Sequence, residues 1–318
     1  MTRRLRLLLL LVFSSSVFAQ PWPSKPIRIV VPFPVGGIAD LYSRLVAARW
    51  TELWGQPVVV ENRTGAGGNI GADLVAKAAP DGYTIGVGTI GTHAVNVTLF
   101  SKLPYDPVRD FAPITPLVDA DGLLAVHPSV AAGTVPELVG LARSKPGSLT
   151  YASAGAGTAS HLAGELFKSM AKVDLVHVPY KGNVPAITDL LAGQTSLIFA
   201  TMPTVLPHTR AGTLKAIATI GSARAAATPE LPTVNESLPG FVVNNWVGLF
   251  APAGTPADIV NRMNAEATKF MQQRDIEARL TNEGARFAPM TPAQYGDFVK
   301  AEIAKWAPVV KASGAKAD

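Results

Sequence analysis

The chain has 318 residues, 28 Lys plus Arg against 23 Asp plus Glu, and no cysteine. Disulfides, thiolate metal sites and a cysteine nucleophile are therefore excluded. Three of the positive charges are Arg3, Arg4 and Arg6, so the chain beyond residue 20 carries +2 with its basic residues scattered, and no nucleic-acid partner is expected.

The arginines precede an apolar run from Leu7 to Phe13, and Val17-Phe-Ala19 resembles a small-residue cleavage site before Gln20. The run is shorter than the roughly 20 apolar residues a membrane-spanning helix needs. A lipoprotein signal fails for want of a cysteine. Residues 1–20 are thus expected to be a cleaved secretory signal, and the destination the periplasm of a Gram-negative cell.

Residues 25–31 form a buried-type strand that ends at Pro32-Phe-Pro34 and Gly36-Gly37, and a helix starts near Ala39 and Asp40. A second strand at 57–61 leads into a glycine turn and a helix to about residue 79; a third strand covers 83–88. Continuous apolar strands alternating with helices predict a parallel sheet covered on both faces. The pattern restarts beyond Phe111: a strand at 123–127, then a helix at 135–144 with Thr134 as N-cap and Pro136 in its first turn. A strand at 149–153 runs into Ala154-Gly-Ala-Gly-Thr-Ala-Ser160 and a helix to about residue 171. Strands at 175–178, 196–200 and 214–219 alternate with helices at 184–192 and 203–211. An extended stretch at 241–250 is followed only by helices, at 256–271, 275–283 and 292–310.

Two strand-first blocks and a helical tail predict two α/β lobes. The tail must pack on something already built. The chain therefore crosses to the second lobe near Asp121 and returns near Trp246, making two hinge crossings with a ligand cleft between. The expected division is lobe I at 21–122 and 248–318, and lobe II at 123–247.

Several kinds of chemistry are missing. His93, His127, His161, His177 and His208 show no i,i+4 pair and no HExxH, so no metal is expected. Tyr151-Ala-Ser-Ala-Gly155 lacks the first glycine of G-x-S-x-G, and His161 follows too closely to complete a triad. The loop at 154–160 lacks the P-loop lysine. Gly65-Ala-Gly-Gly-Asn-Ile-Gly71 does have the grammar of a dinucleotide turn. It follows the second strand instead of the first, and no acidic residue ends the third strand to hold a ribose. Export adds a further objection, because nicotinamide cofactors are chiefly cytoplasmic. A tight turn and close helix packing explain these glycines better, and no cofactor is expected.

Pro32-Phe-Pro-Val-Gly-Gly-Ile-Ala-Asp40, Asn62-Arg-Thr-Gly-Ala-Gly-Gly-Asn-Ile-Gly71, Pro80-Asp-Gly-Tyr-Thr84, Leu103-Pro-Tyr-Asp-Pro107 and Val178-Pro-Tyr-Lys-Gly182 together resemble one family. So do Gly91-Thr-His-Ala-Val-Asn96 and the loop Tyr151 to His161. These are motifs of the periplasmic substrate-binding components of tripartite tricarboxylate transporters, the Bug-type solute receptors. The resemblance covers essentially the whole mature chain. It implies a two-lobe type II periplasmic binding fold, each lobe a mixed, mostly parallel sheet of order 2-1-3-n-4 flanked by helices. It also implies a non-catalytic monomer that captures a small carboxylate, amino acid or related compound for the membrane components of a transporter.

Ligands of such sheets lie outside the carboxyl ends of strands at the switch point between strands 1 and 3. That singles out Pro34, Val35, Gly36, Gly37 and Ala39 in one lobe, and Gly155, Gly157, Thr158 and Ser160 in the other. Both loops open a helix, whose N-terminal N–H groups can hold a carboxylate without a lysine or arginine. Thr158 and Ser160 are expected to add hydroxyl donors. Thr89, Thr92 and His93 are candidates to complete the first half, and Thr201 the second. Asp40 would repel an anion and is assigned a structural or water-ordering role, with Tyr180 and Trp246 as candidate cleft neighbours. Family members often carry Thr or Ser where this chain has Ala39, small residues where it has Val35 and Ile38, and a polar pair such as Asp-Asn where it has Ala200-Thr201. The lack of an acidic partner for an ammonium group argues against amino acids and favours a mono- or dicarboxylate with an apolar or aromatic body. Two rival readings are a secreted hydrolase using Ser153 or Ser160 with a histidine, and a sensing module that docks on a signalling partner.

Overall fold

The structure is a computed structural model and describes residues 22–313; the expected signal segment lies outside the described residues. From the N-terminal side the elements are β1 (Ile27–Val31), α1 (Ile38–Trp54), β2 (Val58–Asn62), α2 (Asn69–Ala76) and β3 (Thr84–Thr89). A wide turn, Gly91–Val95, runs into α3 (Asn96–Leu99), then β4 (Phe111–Ala120). The second unit holds β5 (Gly122–Val126), α4 (Val135–Ser144), β6 (Thr150–Ser153), α5 (Ala159–Ala171), β7 (Val176–Pro179) and α6 (Asn183–Leu191). It continues through β8 (Leu197–Thr201), α7 (Met202–Arg210), β9 (Lys215–Thr219) and α8 (Val234–Ser237). The chain closes with β10 (Asn245–Pro252), α9 (Ala257–Met271), α10 (Arg274–Asn282), β11 (Ala285–Arg286) and α11 (Pro292–Ser313).

Two sheets result, of order β11-β4-β10-β3-β1-β2 and β7-β6-β8-β5-β9. In each, the strand next to one edge pairs in parallel with both neighbours: β1 with β2 and β3, β6 with β7 and β8. In each, one antiparallel strand enters from a crossing: β10 lies between β3 and β4, and β5 between β8 and β9. Only Asp121 separates β4 from β5. Its N–H donates to the Gly284 carbonyl at 2.8 Å and its carbonyl accepts the Met202 N–H at 2.8 Å, so the crossing is held by both sheets' surroundings.

Local chemistry explains these elements. Ile27, Ile29, Val30 and Val31 are fully buried, as expected for a strand covered on both faces. Thr134 caps α4 as expected, its Oγ1 accepting the Glu137 N–H at 3.3 Å. Two strands depart from the sequence expectation. β4 is a ten-residue strand over a stretch where the sequence pattern assigns no element; it holds Pro113 and Pro116, residues that disfavour pairing. Both prolines face β10 beside the points where its register shifts, opposite Phe250 and Gly248, so the irregular ladder tolerates residues without an N–H. β11 interrupts the expected all-helical tail, adding a two-residue edge to β4.

Below the first sheet, Ile27, Ile29 and Val31 meet Val46 and Trp50 of α1 and Met263 of α9. Another apolar cluster is continuous from Val30 and Leu99 on one side to Leu162 and Phe167 on the other. The lobes thus touch along one face, and the loops at the carboxyl ends of their parallel strands face each other.

Candidate functional site

A cavity of about 60 Å³ lies between those loops. The β1–α1 loop contributes Pro34, Gly37, Ile38 and Ala39; the end of β3 contributes Thr89, Ile90 and Gly91. From the second lobe come Thr158, Ala159 and Ser160 at the start of α5, Gly182, Asn183 and Val184 at the start of α6, and Ala200 and Thr201 before α7. No lining residue is charged. Electropositive character instead comes from four helix N-termini, those of α1, α5, α6 and α7, whose first-turn N–H groups have no intrahelical acceptor. At α7 the Met202 N–H is held by the Asp121 carbonyl and Pro203 has none, so α7 acts mainly through its dipole. Ile38, Ile90, Val184 and Phe199 supply an apolar body between them.

Asp40 sits beneath the first loop, 1% exposed. Its carboxylate accepts the Gly36 N–H at 3.0 Å, Asn62 Nδ2 at 2.9 Å and Arg44 Nε at 3.0 Å. Burial alone would raise its pKa, but the hydrogen bonds from Arg44, Gly36 and Asn62 outweigh burial and hold the carboxyl below its ordinary value. The negative charge is thereby neutralised below the loop, and the Gly36 N–H is engaged.

The second loop is braced from within. Thr158 Oγ1 donates to the Gly155 carbonyl at 2.6 Å, which leaves the Ser160 hydroxyl to donate to Thr158 Oγ1 at 2.9 Å. Ser160 Oγ also accepts the Ala154 N–H at 2.8 Å, and the Gly157 N–H donates to His161 Nδ1 at 3.2 Å. Both hydroxyl hydrogens therefore stay inside the loop, and the donors left for an anion are backbone N–H groups of the α5 first turn.

Pro34, Gly37, Ala39, Thr89, Thr158, Ser160 and Thr201 all line the cavity. Val35 and Gly36 stand at its mouth: Val35 is 60% exposed, and a Cβ on Gly36 would meet Val184 at 3.4 Å. Gly155 and Gly157 lie behind the lining, where a Cβ on Gly157 would fall 2.1 Å from Asn96 Oδ1. Thr92 and His93 are turned away by the wide turn that carries them. His93 stacks on Phe250 at 4.0 Å and bonds Thr92 Oγ1 at 2.9 Å; burial pushes its pKa down to about 3. Tyr180 bonds Asp189 at 2.7 Å, and Trp246 is buried, its indole N–H on Glu302 at 3.0 Å.

Asn183 was not foreseen. Thr204 Oγ1 donates to the Thr201 carbonyl at 2.8 Å, so the Thr201 hydroxyl donates to Thr204 Oγ1 at 3.0 Å. Thr201 Oγ1 then accepts Asn183 Nδ2 at 3.2 Å. The only sequence signal for it is its place directly after Gly182, at the end of one family-like motif. Gly122 and Asn245 come to the cavity from the crossings and Ile220 from the end of β9; none carries a local signal.

Ser153 Oγ does meet His177 Nε2, at 2.6 Å. The serine is fully buried, its oxygen also receives the Gly155 N–H at 3.1 Å, and neither residue lines the cavity. The His177 ring is stacked between Tyr151 and His161, at 4.7 and 4.4 Å, with no carboxylate bonded to its other nitrogen among the described contacts. This pair is a brace for the loop, not a nucleophile and base open to substrate.

Two hinged α/β lobes closing helix N-termini over an uncharged cavity define a solute receptor of the periplasmic binding class. Residues 42–315 match the family described as the tripartite tricarboxylate transporter family receptor. Protein BugT of Bordetella pertussis is 35% identical over 305 residues, covering 95% of this chain and 94% of its own. Among solved structures, Rpa4515 of R. palustris with adipate is 37% identical with a TM-score of 0.90, covering 92% of this chain and 98% of that one. MatC of Rhodopseudomonas palustris with bound malate is 38% identical with a TM-score of 0.87, covering 91% and 100%. The chain belongs to the tripartite tricarboxylate transporter receptor family, of the Bug type, and is a binding protein, not an enzyme.

Proposed function

We propose that the protein is a periplasmic receptor that encloses a small mono- or dicarboxylate with an apolar body. It would hand that ligand to the membrane components of a tripartite tricarboxylate-type transporter. The observation that carries this reading is the convergence of four helix N-termini, from both lobes, on a cavity lined by no charged side chain. Such termini bind anions through backbone N–H groups, and the Ile38, Ile90 and Phe199 surfaces between them suit methylene groups. No acidic side chain waits for an ammonium group. The similar structures solved with adipate and with malate point to the same chemistry.

In this reading Pro34, Gly37, Ala39, Thr89, Thr158, Ser160, Thr201 and Asn183 contact the ligand. Residues 21–122 with 248–318 move as one lobe and 123–247 as the other. One chain supplies the whole cavity, so a monomer suffices. Residues 1–20 act as the export signal, and among the described residues no helix is long and apolar enough to cross a membrane.

Thermal unfolding of the mature protein against a panel of C4 to C6 mono- and dicarboxylates, amino acids and nucleotides tests the reading. A ligand at 100 times its dissociation constant adds about 2.7 kcal/mol. A shift with one or more carboxylates is expected. No shift with any carboxylate, together with a shift from a nucleotide, would overturn it.

A further inference from the structure

The glycine turn between β2 and α2 contributes nothing to the cavity lining. Two of its glycines serve packing within their own lobe: a Cβ on Gly68 would meet Thr92 at 2.7 Å, and one on Gly71 would meet Pro32 at 2.9 Å. Gly67 is different. A Cβ there would lie 2.4 Å from the Ala156 carbonyl oxygen, across the cleft in the second lobe. A Cβ on Gly91 would likewise lie 2.9 Å from the Gly157 carbonyl oxygen.

Asn96 completes this surface. It is fully buried, and its Nδ2 donates to Asn69 Oδ1 at 2.6 Å and reaches the Gly67 carbonyl at 3.4 Å. Asn69 Oδ1 is in turn held by the Tyr105 hydroxyl at 2.9 Å. This fixes the amide so that Oδ1, which has no hydrogen-bond partner among the described residues, abuts Gly157 of the opposite lobe.

We propose that Gly67, Gly91 and Asn96 are positioning residues for the ligand loop of the second lobe, forming a seat that Ala156 and Gly157 occupy only when the lobes close. The proposal rests on the receptor reading above and deepens it. The 154–160 loop has two faces. Its inner face, Thr158 to Ser160, lines the cavity, and its outer face, Ala156 and Gly157, presses on the seat. Closure and ligand grip therefore act on one short segment. The approach is backbone to backbone, so one added methyl on either glycine keeps the loop from its seat.

A rival explanation is that Gly67 is needed only for its left-handed backbone, at φ 63° and ψ 21°. Gly55 supplies the control. It has nearly the same conformation, φ 64° and ψ 14°, with nothing within 4 Å of its Cβ position. Alanine costs the same backbone strain at both positions, but only at Gly67 does it meet the other lobe. Gly91 adds a variant without that strain, because its φ lies outside the left-handed region.

The chain's lack of cysteine makes a direct test possible. Val35→Cys and Val184→Cys place two exposed thiols at the cleft mouth, on either side of the Gly36–Val184 contact. Their cross-linking rate with a short bis-maleimide reports how often the unliganded lobes close. Adding Gly67→Ala or Gly91→Ala is expected to slow the reaction about tenfold or more while cooperative unfolding is kept; Gly55→Ala should leave the rate unchanged. Equal rates for Gly67→Ala and Gly55→Ala, or an unchanged rate for Gly91→Ala, would overturn the proposal. Adipate and malate are tested separately, by thermal unfolding of the mature protein without the cysteine substitutions. If neither shifts its midpoint, the choice of those carboxylates fails while the seat is still judged by the unliganded cross-linking rates.

Discussion

Gly36 gives its backbone N–H to Oδ2 of Asp40 at 3.0 Å, so a buried carboxylate underpins a loop built to face an anion. The same carboxylate holds Asn62 of β2 and Arg44 of α1, which ties the loop to the strand and helix on either side. Asp40→Asn replaces one acceptor oxygen with a donor that faces other donors. The expected cost is about 1–3 kcal/mol, read as a drop of several degrees in the unfolding midpoint at pH 7. The sign with pH follows from the depressed pKa. The unfolded carboxyl, at about 3.9, takes up protons before the folded one does. Asp40 therefore stabilises fully above that value, and its contribution is lost as pH falls through its lower folded value. Below about pH 4 the variant's stability should fall less steeply than the parent's. Parallel slopes would show that Asp40 is not held as a carboxylate.

Two buried histidines and the half-buried His177 predict a second pH window with the opposite sign from a salt-bridged histidine. Burial lowers the pKa of His93 to about 3 and of His177 to about 4, the latter with help from neighbouring His161; burial also lowers His161. Unfolded, each titrates near 6.5. As pH falls below that value the unfolded chain gains protons the folded chain refuses, so stability declines from about pH 6.5 toward 4. His177→Gln should remove part of that slope, up to ~1.4 kcal/mol per pH unit. Denaturant unfolding across this range measures it, and an unchanged slope would mean His177 is protonated in the folded protein.

β1 and β6 were legible because both faces of each are apolar or small. The two anion loops followed from their position between such a strand and a helix. β4 was hidden by Pro113 and Pro116, whose tolerance depends on register shifts that only the paired strand β10 creates. The site shows the same division. Ala39, Thr158 and Ser160 are local to a strand–loop–helix unit and could be named from it. Asn183, Ile220 and Asn245 reach the cavity through sheet order, which brings three distant segments together. His93 lies only four residues beyond β3, yet the wide turn at Gly91–Val95 rotates it into the core beside Phe250. Chain proximity to a site says little about side-chain direction.

The tryptophans predict a silent spectroscopic signal. None of the five, Trp22, Trp50, Trp54, Trp246 and Trp306, lines the cavity. Trp246 of β10 and Trp306 of α11 both donate to Glu302 Oε2, at 3.0 and 3.1 Å, in a buried cluster where β10 meets α11. A ligand that raises the unfolding midpoint should therefore leave the emission spectrum nearly unchanged. Strong quenching by the bound carboxylate would place an indole at the ligand and displace the cavity described above.

Thr201→Asp separates what the fold wants from what the ligand wants. Thr201 is the N-cap of α7 and makes no capping hydrogen bond through its side chain. Aspartate is at least as good an N-cap as threonine, and its charge favours a helix N-terminus by about 0.3–1 kcal/mol. Asn183 Nδ2 stands within reach to solvate it, and the Thr204 hydroxyl can turn to it by releasing the residue 201 carbonyl. The unliganded variant should therefore keep the parent's unfolding midpoint or exceed it. The same charge sits in the cavity where a carboxylate would approach and answers the α7 N-terminus in the ligand's place. Affinity for adipate or malate, whichever the parent binds, should fall by about tenfold or more, a loss of at least 1.4 kcal/mol. An amino acid that the parent ignores becomes the better candidate ligand, since its ammonium group now has a partner. Thermal unfolding with and without each probe gives both quantities from one preparation. If the variant keeps the parent's affinity, the anion does not lie at α7, and the grip must come from α1, α5 and α6.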